Sequence, residues 1–351
     1  MRLNLDPPSC NMRPRPLFYY AITEGINGLY TPHKMRAHGF RHYVADGLGY
    51  WFHPGDGTAH ATEVGRISSK HTKVTRTPIV FVHGVGLGPL PYLHFVEAML
   101  DGSPLLVIEL PFVAQRLSGS GERTALHQAS TVAAIRRAME RHHLMAATFV
   151  GHSLGTVYLS WVAQLAPQLI ASAVFIDPIV FLLHQPKVAQ SFLYDKPHDA
   201  RAAIGHYFIK SERTIVHYFH HHFDWQQNVL WTADLRATPT EVILARNDAI
   251  VPVEQVQAYL RRSRVRSTVL DGASHGDFLI DQEKRQQVLS IVRRAQARGM
   301  RRGRRFHLWR ARRAADYARS RNLIPSIAED DQSKDSHSGS KSSPSMLLLH
   351  Q

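Results

Sequence analysis

A single cysteine, Cys10, stands in a chain of 351 residues. No internal disulfide can form and no cysteine pair exists to hold zinc, which suits a reducing compartment. Acidic residues are also few: 28 Asp and Glu face 42 Lys and Arg, for a net charge of +14. The excess is local. From Arg293 to Arg321 twelve arginines accompany one acid, Asp316, so that segment alone carries +11. The basic character therefore describes a tail and not the surface of the whole. Long apolar runs are missing as well. The stretch from Leu17 to Tyr30 is apolar and aromatic, but Glu24, Gly25, Asn27 and Gly28 interrupt it. It is too short and too broken for a membrane span, and no small-residue cleavage signature follows. A soluble protein of the cytoplasm is the expectation. Hydrophobic residues make up 44%, enough for a sizeable core in one large α/β domain or two small ones.

Apolar runs of strand length alternate with segments of helical period. Residues 41–52 alternate about Asp46-Gly47 and read as a hairpin. Runs at 78–82, 105–110, 146–150, 173–176, 241–245 and 266–270 read as buried strands. Helical spacing is expected over 122–143, from Gly155 to near Ala166, over 253–262 and over 279–294. Buried strands alternating with helices predict an α/β fold, a mostly parallel sheet flanked by helices on both faces. Between Pro178 and Pro239 no such strand occurs, and a structureless loop of that length is disfavoured, so 179–238 reads as a helical cap insertion. The expected organisation is an N-terminal extension over 1–40, a core over 41–178 and 239–294, a basic helical extension over 295–325, and a disordered polar tail over 326–351.

The chemistry is concentrated at Gly151-His152-Ser153-Leu154-Gly155. A Gly-x-Ser-x-Gly between a strand and a helix is a turn so sharp that the serine hydroxyl stands clear of the sheet. The flanking glycines keep Cβ atoms out of the crossing. A serine hydroxyl needs a base within hydrogen-bond reach, and histidine can take and return a proton at neutral pH. His275, after the last strand in Gly272-Ala273-Ser274-His275, is the candidate base. Asp248, after the strand 241–245, is the candidate carboxylate that orients it. Asp177, which also ends a strand, is the principal rival; Asp277 and Asp281 lie too near His275 in sequence. His152 reads as a packing residue of the turn. The tetrahedral intermediate needs backbone donors, expected from Leu154 and from Val85 in the loop His83-Gly84-Val85-Gly86-Leu87-Gly88. The rival reading of that loop is a phosphate cradle, disfavoured because no Gly-Lys-Ser/Thr follows.

Taken together, His83-Gly84-x-Gly86, Gly151-His152-Ser153-Leu154-Gly155, Asp248-x-x-Val251-Pro252 and Gly272-x-x-His275 resemble the α/β-hydrolase fold superfamily. The resemblance covers 41–294 and implies an eight-stranded sheet with a cap inserted after the strand that ends at Asp177. Serine at 153 separates the chain from the epoxide hydrolase and haloalkane dehalogenase branches, which use aspartate there. The His-x-x-x-x-Asp pattern of some acyltransferase members is broken, since Ile280 stands fifth after His275. The resemblance implies a serine hydrolase but fixes no substrate; the expectation is a small-molecule carboxylic ester, apolar or lipid-like, cleaved with no cofactor and no metal. Thioesterase, amidase or carbon–carbon hydrolase activity with the same three residues is the alternative, as is a non-catalytic binding protein.

Two segments stand outside that machinery. His217 and His221, four residues apart, have the spacing of a metal pair but no clear third ligand. The aromatic set from His217 to Phe223, with Trp225 and Trp231, is expected to line an apolar acyl pocket, the plainer reading being cap-on-core packing. Residues 293–321 read as a basic amphipathic helix for an anionic membrane surface. Nucleic-acid phosphates are the less favoured partner for it, and a solvated tail is the remaining reading. Oligomeric state is not readable from the sequence.

Overall fold

Strand sequences with no polar alternation must be covered on both faces, and the sheet is built that way. The computed structural model describes residues 12–56, 76–116 and 127–321, with the side chains of Arg201 and 302–321 left aside. Eight strands form one sheet: β1 (Arg41–Ala45), β2 (Leu48–His53), β3 (Ile79–Val82), β4 (Leu105–Ile108), β5 (Ala147–His152), β6 (Ile170–Ile176), β7 (Thr240–Ala245) and β8 (Arg266–Leu270). Their order is β1-β2-β4-β3-β5-β6-β7-β8. The first two strands are antiparallel to their neighbours and the remaining six run parallel. Adjacent residues serve opposite cores. Val80, Val82, Phe149 and Val242 enter one, while Ile79, Phe81, Val150 and Ile243 enter the other.

The expected hairpin is present. Asp46 (φ 47°) and Gly47 (φ 83°) make a two-residue turn that sets Ala45 opposite Leu48, the mirror-image geometry that matches strand twist. β6 begins at Ile170, three residues before the apolar run suggested. Ser172 masks its start in the sequence, but its hydroxyl is bonded at 2.9 Å to the Thr148 hydroxyl of β5.

The helices are α1 (Leu17–Gly25) and α2 (Thr31–Ala37), joined by a π-helical turn over Ile26–Tyr30, then α3 (Leu93–Ala98), α4 (Gln128–Arg141) and α5 (Gly155–Leu165). Between β6 and β7 come α6 (Pro186–Ala189), α7 (Ala200–Gly205) and α8 (Arg213–His221), with π-helical turns over Gln190–Tyr194 and His206–Lys210. α9 (Val253–Arg262) and α10 (Gln282–Arg321) complete the set. The first part of the helix expected over 122–143 lies outside the described residues, as does the segment from 322 on. The last helix starts three residues later than its spacing suggests. Asp277–Leu279 forms a 3-10 turn instead, and the Asp281 carboxylate accepts from the Lys284 amide at 3.0 Å, stopping the helix at its N-terminus. α10 packs through Val288, Leu289, Val292 and Ala295. The chain divides into two units, Met1–Arg305 and Phe306–Gln351. Among the described residues no helix is long and apolar enough to cross a membrane.

α5 crosses the end of β3 so closely that a Cβ at Gly155 would lie 2.1 Å from the Val82 carbonyl oxygen. Backbone, not a movable side chain, occupies that space. Gly155→Ala is therefore expected to destabilise the fold by about 4 kcal/mol or more, the range of severe core strain. Thermal denaturation of the purified variant, or its failure to accumulate in soluble form, measures this.

Candidate active site

The turn between β5 and α5 holds Ser153 at φ 53°, a left-handed conformation that a side-chain-bearing residue adopts only under constraint. The Ser153 amide donates to the Ile176 carbonyl at 3.0 Å, tying the turn to β6. Gly84 lies opposite, where a Cβ would come within 3.1 Å of the Ser153 Cβ. The hydroxyl is thus presented in a cleft that only glycine leaves open.

Three side chains separated widely in sequence meet there. Ser153 Oγ lies 2.9 Å from His275 Nε2. His275 Nδ1 lies 2.7 Å from Asp248 Oδ2. The other Asp248 oxygen accepts from the Ile250 and Val251 amides at 2.8 and 2.9 Å, so the carboxylate is fixed by its own loop. With Oδ2 accepting, Nδ1 carries the proton and Nε2 is free to accept from the serine hydroxyl.

The rival acids are placed elsewhere. Asp177 accepts from the Ala245 amide with one oxygen and the Gly276 amide with the other, both at 2.9 Å. It anchors the loop that carries His275 without a hydrogen bond to the imidazole. Asp277 accepts from the Ser274 amide at 2.7 Å, and Asp281 caps α10.

Around the loop after β3 the amides are shared out. Gly84 N–H donates to Tyr92 Oη at 2.9 Å and Gly86 N–H to the Val113 carbonyl at 3.0 Å. Among the described residues neither the Val85 amide nor the Leu154 amide has an acceptor, and both residues line the cavity at Ser153. A phosphate cradle would need the glycine amides free as well. His83 fixes this loop from beneath. Its Nδ1–H donates to the Gly84 carbonyl at 2.7 Å and its Nε2 accepts from the Leu110 amide at 3.1 Å. Complete burial holds its pKa down to about 4, so it stays neutral.

His152 does more than pack. Tyr92 accepts from Gly84 and donates to His152 Nδ1 at 2.7 Å. That leaves the proton on Nε2, which faces Asp177 Oδ2 at 3.7 Å, too long for a hydrogen bond. Burial lowers the His152 pKa, and Asp177 only partly offsets it. Asp177 is kept ionised against its own burial by His152, by His275 and by the Gly276 amide. Tyr92 carried no local signal in the sequence; it is found only through its position 60 residues from His152.

Above Ser153 the cavity walls are apolar: Ile179, Val188, Phe192, Phe219, Trp225 and Ile250. Phe192 and Phe219 have ring centroids 4.6 Å apart. The expectation for Trp231 fails. It is 49% exposed and stacks on His184 at 5.2 Å, apart from the residues that line the cavity. The rings of His217 and His221 lie tilted at 40° with centroids 4.5 Å apart. Among the described residues the group of three metal-type donors close enough to share an ion is Asp177, Asp248 and His275. Their atoms are taken up by the hydrogen bonds already named, and His217 and His221 gain no third donor.

The alpha/beta hydrolase family profile matches residues 79–290. Among curated proteins none matches the chain. The chain is similar in structure to carboxylesterase CesB from Bacillus subtilis, at 15% identity over 75% of this chain and 97% of that one, with a TM-score of 0.46. It is also similar to 2-hydroxy-6-oxo-6-phenylhexa-2,4-dienoate hydrolase from Rhodococcus sp. strain RHA1, at 17% identity over 73% and 98%, with a TM-score of 0.48. Naproxen esterase from Bacillus subtilis aligns at 11% identity over 76% and 98%, with a TM-score of 0.48.

Burial disfavours a charged His275, but the Asp248 charge and hydrogen bond, helped by Asp177, outweigh it and raise its pKa to about 9. Folding therefore gains from a protonated His275 below its ordinary value near 6.5, and that gain is lost as pH rises through about 9. In Asp248→Asn the imidazole is expected to titrate at lower pH than in the wild type. Histidine ring NMR signals followed against pH test this, and an unchanged midpoint would contradict the coupling.

Proposed function

The chain belongs to the alpha/beta hydrolase family, and on that premise we propose that it is a serine hydrolase cleaving carboxylic esters with an apolar acyl group. The observation that carries the reading is the unbroken line Ser153 Oγ, His275, Asp248, at 2.9 and 2.7 Å, at the floor of an apolar cavity. Neutral His275 takes the serine proton as Oγ bonds to the ester carbonyl carbon. The carbonyl oxygen becomes the oxyanion, which the Val85 and Leu154 amides are placed to hold. Asp248 stabilises the imidazolium. His275 then gives its proton to the departing alcohol, leaving an acyl group on Ser153. Water, deprotonated by the same imidazole, attacks that acyl group; Oγ leaves, takes the proton back and frees the acid.

The apolar walls accept the acyl chain, and their aromatic members come from the helical segment between β6 and β7. That segment acts as the cap of the site. Thioesters pass through the same tetrahedral geometry, so a thioester counterpart of each ester belongs in the substrate screen.

A fluorophosphonate probe is expected to label the wild type and not Ser153→Ala. Persistent labelling of that variant, or none of the wild type, would overturn the assignment. Asp248→Asn presents an amide N–H to His275 Nδ1, which drives the ring proton to Nε2, where it can no longer accept from Ser153. Turnover of p-nitrophenyl esters is expected to fall by about 10⁴. Asp177→Asn keeps an acceptor for one loop amide and touches no reacting atom, so its loss is expected to be much smaller. Because the neutral imidazole is the active form, kcat/KM is expected to rise with pH along an acid limb above 6.5, histidine's ordinary value.

A further inference from the structure

Residues 12–31 run between the loop after β4 and the cap. The Arg13 amide donates to the Ser211 carbonyl at 2.9 Å, Tyr20 Oη to the buried Glu212 at 2.9 Å, and Thr23 Oγ1 to the Gln115 carbonyl at 2.7 Å. Tyr20, Thr23 and Thr31 form the inward face. The opposite face of α1 and its π turn carries Leu17, Phe18, Ala21, Ile22, Gly25, Gly28 and Leu29, with no polar side chain among them. Leu17 is 80% exposed, Phe18 67%, Ile22 57% and Leu29 76%. The patch extends onto the cap, where Phe208 meets Tyr19 at 6.1 Å and Tyr207 at 5.1 Å; both Tyr207 and Phe208 are 45% exposed.

We propose that this face docks on an anionic phospholipid bilayer, with Phe18, Ile22, Leu29 and Phe208 entering the acyl boundary. Three features of the face select that occupant. The outward side chains of α1 and its π turn offer no hydrogen-bonding group for a folded partner, a bilayer's acyl region needs none, and the half-exposed tyrosines at the margin, Tyr30 and Tyr207, suit the headgroup level. Its ends are cationic: Arg13 lies exposed before α1, and after the π turn come Arg36 and Lys34, whose ammonium sits 5.6 Å from the Tyr30 ring. Over residues 12–40 the cations outside the core, Arg13, Lys34 and Arg36, are opposed by one acid, Glu24, which faces Arg116 at 3.4 Å, while Arg15 is buried against the Ser211 hydroxyl. Two copies would set these cations against each other, whereas anionic headgroups complement them. Finally, the surface is continuous with the cavity wall. The π turn bearing Tyr207 and Phe208 ends at Lys210, whose ammonium donates to the Ser191 carbonyl at 2.8 Å and sits 6.0 Å from the ring of Phe192. Docking would bring the cap to the layer in which an apolar ester dissolves.

The test needs no turnover and does not rest on the assignment of Ser153. Full-length protein is pelleted with sucrose-loaded vesicles of phosphatidylcholine with phosphatidylserine, and with phosphatidylcholine alone. The wild type is expected to bind the anionic vesicles at least tenfold more tightly than the neutral ones, and at least tenfold more tightly than the double variant Phe18→Ser/Ile22→Ser. Both side chains are exposed, so the thermal midpoint of the variant should match the wild type. Binding by the variant equal to the wild type would place attachment elsewhere, the arginine-rich end included, and overturn the proposal. Equal binding to neutral vesicles, no binding by the wild type, or a dimer in sedimentation that the variant abolishes would overturn it as well. Should the variant not fold, Phe18→Cys in a Cys10→Ser background, labelled with an environment-sensitive dye, is expected to shift to the blue on mixing with anionic vesicles. An unchanged spectrum would refute insertion.

Discussion

The site hangs on how closely one helix can approach one strand. α5 starts against the end of β3, with Gly155 over the Val82 carbonyl, and that approach forces the chain leaving β5 to reverse within the few residues around Ser153. The left-handed serine follows from the reversal, as does the hydroxyl facing away from the sheet. The same crossing brings β3's outgoing loop beside the hydroxyl, where Gly84 leaves room for it and Val85 lines the cavity. The serine hydroxyl and the amides proposed to hold the oxyanion are therefore not placed separately. They are two consequences of one contact between backbones, stabilised by the two cores on either side of the sheet.

Two histidine–aspartate pairs lie side by side here, and about one ångström separates their behaviour. His275 and Asp248 are 2.7 Å apart, and although burial disfavours charge on the ring, the Asp248 charge and hydrogen bond, helped by Asp177, outweigh it and favour the charged form. His152 and Asp177 stand 3.7 Å apart, no hydrogen bond forms, and burial wins. The ring centroids of the two histidines are only 5.2 Å apart. A second imidazolium at that distance would push the first toward neutrality. Burial holds the second ring away from its charged form, and the Tyr92 hydroxyl, which accepts from Gly84, bonds its Nδ1 as it would a neutral imidazole.

These relations explain what was readable in advance. Strands buried on both faces show as apolar runs, and Ser153 and Asp248 lie within three residues of one, while His275 follows the edge strand β8 by five. Their position was written in one dimension although their meeting was not. Asp177 also follows a strand, and only its two backbone partners show that it holds the loop rather than the ring. Tyr92 could not be found this way, because its significance lies in contacts with residues 8 and 60 positions away. Trp231 misled because aromatic residues at an insertion's edge look alike in sequence whether they turn inward or outward.

The N-terminal segment shows the same limit from the other side. Gly25, Asn27 and Gly28 argue against a helix there, each by intrinsic preference. The helix forms because tertiary hydrogen bonds replace what propensity lacks: Asn27 Nδ2 donates to the Ala114 carbonyl at 3.0 Å, and Tyr19 Oη to Gln115 Oε1 at 2.7 Å. The small residues that weaken the helix also keep its outer face free of polar groups. Gln115 completes the arrangement. It accepts from Tyr19 and Thr23 and donates through Nε2 to the Phe208 carbonyl, so one side chain joins the N-terminal helix, the loop after β4 and the cap. The helical segment between β6 and β7 and the outer helix are thereby tied to each other through Gln115. The apolar surface is in this way mechanically part of the wall of the site.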